Sequence, residues 1–206
     1  MVDLIIKEGY SVGQFKFGMT MEEVEQCNKL YMERYGINKE SFFFEYDEEG
    51  KVTSIHLLIE ELKKHFQCNF KGIDLLNLKA SELIKAIDTI DPYIRDQEAL
   101  RGFTYQFPDL GLTLWRGNVC TEEDLEADWF KELIPENQED EKRFLFFETI
   151  TFHHKEKVFQ RFPETEINIE KNLTQRTTTY WEKEPDPDQL RELAIKFGLE
   201  IPKNLK

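Results

Sequence analysis

The chain has 206 residues, 40% of them hydrophobic and 13% aromatic, which is enough to bury the core of one large or two small domains and too apolar to stay disordered. Its 27 Lys and Arg stand against 41 Asp and Glu, a net charge of −14. That field repels phosphate backbones and anionic bilayers, so neither nucleic acid nor membrane is expected as a partner, and a basic protein is. The first residues carry neither a basic leader nor an apolar run, and no stretch of about 18 apolar residues follows, so a cytoplasmic protein is expected.

Thr20 followed by Glu23 reads as a capping box. It starts a helix with apolar residues at 21, 24, 27, 30 and 31 and a stop near Gly36. Phe42, Phe44 and Tyr46 then share one side of an extended segment, residues 47–50 form a turn, and Val52, Ile55, Leu57 and Ile59 lead back. Residues 1–66 are thus predicted to be a helix followed by a hairpin.

A second unit, residues 67–162, repeats this order. Residues 13–27 align without gaps on 72–86, and 42–50 on 103–111, more in apolar pattern than in letters. Ser81 is its candidate cap, Leu83, Ile84, Ile87 and Ile90 its helical stripe, and Asp91-Pro92 its end. Its hairpin runs from Phe103 to Phe107, turns at 108–111 and returns through Leu112, Leu114 and Trp115. An acidic insertion, 118–143, follows, and then a strong strand over 144–152. A short strand is expected at 158–162, and residues 163–206 form a C-terminal arm and helix, with short strands expected at 167–169 and 177–181 and a helix over 190–197 closed by Gly198. The predicted fold is α+β, an antiparallel sheet with helices on one face, built from two related helix-plus-hairpin units.

The run Phe15-Lys16-Phe17-Gly18-Met19-Thr20-Met21-Glu22-Glu23-Val24 resembles the start of a repeat found in the β-lactamase inhibitor protein and in small outer-membrane lipoproteins that help barrel assembly. The resemblance implies helices laid across an antiparallel sheet, a tandem binding scaffold and a protein-binding role, and it transfers no binding residues. Two departures stand out: this chain shows no export signal, and Leu78-Lys79 replaces Met19-Thr20 in the second unit.

Local signatures of catalysis are missing. Cys27, Cys68 and Cys120 form no CxxC and read as reduced thiols, and no P-loop, dinucleotide, zinc-protease or hydrolase-elbow pattern occurs. His153 and His154 are neighbours on a predicted strand, so they face opposite sides and cannot jointly hold one ion. His56 and His65 read as strand-face and surface residues. No catalytic residue, metal or cofactor is expected.

The insertion is where recognition is expected. Residues 122–142 hold ten acids against two lysines, and Leu125, Trp129, Phe130 and Leu133 recur at helical spacing behind Thr121 as cap. The front half therefore reads as one amphipathic helix. Either its apolar stripe packs on the sheet, or Glu122, Glu123, Asp124, Glu126 and Asp128 steer a cationic partner that Trp129 or Phe130 anchors; the two readings are compatible. Tyr180 and Trp181 are a further candidate contact. The functional expectation is a non-catalytic, acidic, immunity-type inhibitor that binds and occludes a basic partner such as a bacterial toxin. The alternative is an enzyme or small-ligand module with its site on the open sheet face.

Overall fold

A computed structural model of the chain describes residues 2–154. Residues 155–206, which include the end of the second unit with its expected strand at 158–162, Tyr180, Trp181 and the remaining C-terminal strands and helix, lie outside the described residues.

Local chemistry starts the first helix as the sequence requires. Thr20 Oγ1 accepts from the Glu23 N–H at 3.3 Å and Glu23 Oε2 accepts from the Thr20 N–H at 2.8 Å, which satisfies two donors that have no partner within the helix. Helix α1, Met21–Tyr35, ends at Gly36, whose φ of 67° lets its N–H reach the Met32 carbonyl. Val24 and Tyr31 are buried, but Met21 and Leu30 are exposed, so the expected stripe is narrower than read. Leu30 is one residue from Tyr31, a rotation of about 100°, which carries it onto the flank. Tyr31 seats the helix: its ring stacks on Phe15 at 5.1 Å and its hydroxyl accepts from the Gln14 N–H at 3.1 Å.

Two hairpins and one further strand make a single antiparallel sheet. Its strands are β1 (Phe42–Tyr46), β2 (Val52–Leu58), β3 (Thr104–Phe107), β4 (Leu112–Trp115) and β5 (Thr149–His153), in the spatial order β3-β4-β5-β2-β1. The hairpins expected from residues 1–66 and 67–162 therefore share one sheet, with β5 between them. Asp47 Oδ1 closes the first turn by accepting from the Glu49 and Lys51 N–H groups.

The expected strand over 144–152 is shorter than read. It begins at Thr149, and Phe144 and Leu145 sit in a 3₁₀ turn, Arg143–Leu145. The Phe144 carbonyl accepts from Arg116 at 2.7 Å instead of joining the ladder. Helix α2, Ala80–Asp88, corrects a second expectation: Lys79, not Ser81, occupies the N-cap position, and Glu82 accepts from the Lys79 N–H at 3.3 Å. Ser81 lies inside the first turn and its hydroxyl donates to Glu122. A short helix, α3 (Gln97–Arg101), is capped by Asp96, which accepts from the Ala99 N–H at 2.9 Å.

Register separates the two faces of the sheet. Leu112, Phe152, Ile55 and Phe44 lie in one cross-strand row and point into the core, where Leu83 and Ile87 of α2 and Val24 and Tyr31 of α1 meet them. One residue along, Thr113, Thr151, His56 and Phe43 make the corresponding row on the other face. Among the described residues no helix is long and apolar enough to cross a membrane.

Candidate functional site

Two places gather polar chemistry: the acidic insertion and the outer face of the sheet. The insertion is tied down by Arg116, at the end of β4. This side chain is 5% exposed; its Nε donates to the Gly102 carbonyl at 2.8 Å and its Nη1 to the carbonyls of Phe144 at 2.7 Å and Cys120 at 3.5 Å. Burial pulls the guanidinium below its ordinary value, yet with carbonyls at two of its nitrogens it stays charged. Cys120, Phe144 and Leu145 form a small core of their own at this base, with Leu125 and Phe146 against it.

Beyond the base, the single amphipathic helix expected over the front half is replaced by two short pieces, and a further helix follows it. A 3₁₀ turn, Asp124–Glu126, is held by Thr121, whose N–H and hydroxyl both donate to Asp124 Oδ2. Ala127 is extended, and helix α4 spans Asp128–Lys131. Helix α5, Pro135–Lys142, starts afresh because Pro135 occupies its first turn.

The predicted contact residues fare differently. Asp124 is spent on its own turn. Glu122 lies 3.4 Å from Lys79; its own backbone N–H, with Lys79 and Ser81 adding to the effect, holds its carboxyl below the usual range. Glu126 pairs with Lys131 at 3.0 Å, and Glu139 with Lys142 at 2.6 Å. Glu123, Asp128, Glu132, Glu136 and Asp140 are exposed and make no ion pair among the described residues. Trp129 is 47% exposed and Ile134 59%, whereas Phe130 is buried. Phe130 therefore cannot anchor a partner: an edge-on contact with Trp129 at 5.7 Å leaves the tryptophan outermost of the two.

The outer sheet face holds a hydrogen-bonded line that the sequence did not reveal. Thr113 Oγ1 lies 2.9 Å from His153 Nε2, His153 Nδ1 lies 3.0 Å from Ser54 Oγ, and Ser54 donates to Glu45 Oε2 at 2.6 Å. On a second branch Glu45 Oε1 lies 3.6 Å from His56 Nε2, and His56 Nδ1 lies 2.8 Å from Thr151 Oγ1. These six residues come from four strands, and only the register brings them together. The polar alternation within 52–58 and 149–153 was the available signal, but it does not say which strand lies beside which. His153 and His154 diverge as alternation predicts: His153 joins this line, while the His154 ring sits edge-on to Phe17 at 5.7 Å. Among the described residues no group of three or more His, Cys, Asp or Glu side chains is arranged to hold a metal ion.

Comparison with protein-family models, curated proteins and solved structures found no match to this chain.

Proposed function

We propose that the chain is a protein-binding module that docks a basic partner on its acidic insertion, in the cytoplasm, in the manner of an immunity-type inhibitor that occludes a cationic toxin. The observation that carries this reading is the grouping, in one short stretch, of five exposed carboxylates without ion-pair partners among the described residues and an exposed tryptophan, Trp129. Charges of this kind accelerate encounter with an oppositely charged surface, and a tryptophan supplies the apolar contact that slows release. Arg116 and the small core beneath it hold the insertion in one orientation, so a partner meets a surface ordered in advance and less entropy is lost on binding.

The test is a pull-down from the source cells with three baits: the natural chain, Trp129→Ala, and a variant with Glu123, Asp128, Glu132 and Glu136 changed to Lys. One basic protein held by the first bait, lost from the other two and released by moderate salt supports the reading. A captured set that is identical for all three baits refutes it. The alternative, an enzyme or small-ligand site on the sheet face, draws on the line from Thr113 to Glu45.

A further inference from the structure

We propose that Thr113 is the nucleophile of an acyl-transfer site on the outer face of the sheet, with His153 as its general base and Ser54 and Glu45 as positioning residues. The proton inventory of the line leads there. Ser54 has one hydroxyl proton and gives it to Glu45 Oε2 at 2.6 Å, so toward His153 Nδ1, 3.0 Å away, Ser54 Oγ is the acceptor. A neutral His153 that donates from Nδ1 to this oxygen turns the lone pair of Nε2 toward Thr113 Oγ1 at 2.9 Å. Nucleophile, base, orienting hydroxyl and carboxylate follow one another, each within hydrogen-bond reach, which is the arrangement that activates a hydroxyl.

Burial is graded along the line in the useful direction. Ser54 and His153 are 0% and 6% exposed, while Thr113 is only half-buried, so the base and its orienting hydroxyl are shielded from water more than the residue that carries the nucleophile. Register sets Gln106 directly opposite Thr113 on the neighbouring strand, with Cβ atoms about 5 Å apart. From there its carboxamide N–H can meet the oxygen that becomes negative in the tetrahedral intermediate. Trp115, two residues along the same strand and on the same face, is 43% exposed and offers an apolar wall. With a net charge of −14 on the chain, anionic acyl groups are repelled. The substrate class is an activated ester of an uncharged, apolar acid.

In the first step Thr113 Oγ1 bonds to the ester carbonyl carbon while its proton passes to His153 Nε2. The bond from that carbon to the leaving oxygen then breaks, and the departing alcohol takes the proton from Nε2. Water attacks the acyl-threonine ester, giving its proton to Nε2, and the acid leaves as that proton returns to Thr113. The sum is ester plus water to acid plus alcohol, with no other reactant.

The experiment incubates the full chain with p-nitrophenyl butyrate, follows p-nitrophenolate release, and maps the acylated peptide by mass spectrometry. The expected result is butyryl on Thr113, with turnover that falls at least about a hundredfold in Thr113→Val and His153→Gln and returns in Thr113→Ser. Ser54→Ala should lower kcat with KM unchanged. Butyryl found only on lysines, or equal turnover in the natural chain and Thr113→Val, overturns the proposal. Thr113→Val keeps the side chain's shape on a strand that favours β-branching, so it decides the matter even where the His153 variant fails to fold.

Discussion

Replacing Arg116 by methionine tests whether the acidic insertion is held by one buried cation. Methionine keeps most of the length and apolar stem but removes every donor. The change leaves the carbonyls of Gly102 and Phe144, now bonded at 2.8 and 2.7 Å, without their charged partner in a site where Arg116 is 5% exposed. Each hydrogen bond to a charged group contributes about 1.5–3 kcal/mol, and relief of the cation's own burial offsets part of the two together, so a loss of about 3 kcal/mol is expected. In a protein of this size that lowers Tm by about 6–12 °C. Arg116→Lys should fall between, because one ammonium cannot span two carbonyls on different segments. The assay is urea denaturation paired with limited proteolysis. Cleavage within 118–143 should become rapid in Arg116→Met at urea concentrations that leave the sheet intact. A variant within about 0.5 kcal/mol of the natural chain, with unchanged proteolysis, would show that the small core of Cys120, Phe144 and Leu145 is enough by itself and that the reasoning about Arg116 is wrong.

Gly13 has φ of +57°, and a Cβ there would run into the Tyr31 hydroxyl. Gly13→Ala should therefore lose more than about 2 kcal/mol in a denaturant melt, combining backbone strain with a displaced Tyr31. Thr20→Ala should lower stability by about 1 kcal/mol, as the loss of an N-cap does. The Glu23 carboxyl is held below its ordinary value of 4.5, first by the Thr20 backbone N–H and then by its hydroxyl. Its contribution is complete above about pH 4.5 and disappears as pH falls through the lowered folded value, so the melting difference between the natural chain and Glu23→Gln should close over that window. Burial, with a smaller effect from Asp74, pushes the Cys68 thiol up to about 12. Iodoacetamide at pH 8 should leave Cys68 unmodified in the native protein and label it after unfolding, while half-buried Cys27 reacts first. Peptide mapping distinguishes the two.

Elements whose causes lie within a few residues were legible before any coordinates. The Thr20 and Glu23 capping box, the Gly36 stop, the turn at Asp47 and the inward alternation of Phe42, Phe44, Ile55 and Leu57 all follow from local hydrogen bonding and period-two burial. The insertion departs from its apolar spacing because Leu125 and Phe130 lie on either side of Ala127, whose extended backbone divides the expected helix into a 3₁₀ turn and a single short helix. Phe130 and Trp129 are neighbours with the same apolar signal, and only packing decides that one turns inward and the other out.

By itself, the sequence settled the sign of the charge and the most local features: an acidic composition, the apolar alternation of the strands, and the start of α1 written in Thr20 and Glu23. These are properties of single residues and near neighbours, which exist in the chain before it folds. Tertiary structure alone decided that two hairpins join through β5 in one sheet, that a buried arginine ties the insertion to Gly102, and that Glu45, Ser54, Thr113 and His153 come into line. Each of these depends on strand order and register, which are set by the sum of core burial across the whole domain and by no local motif.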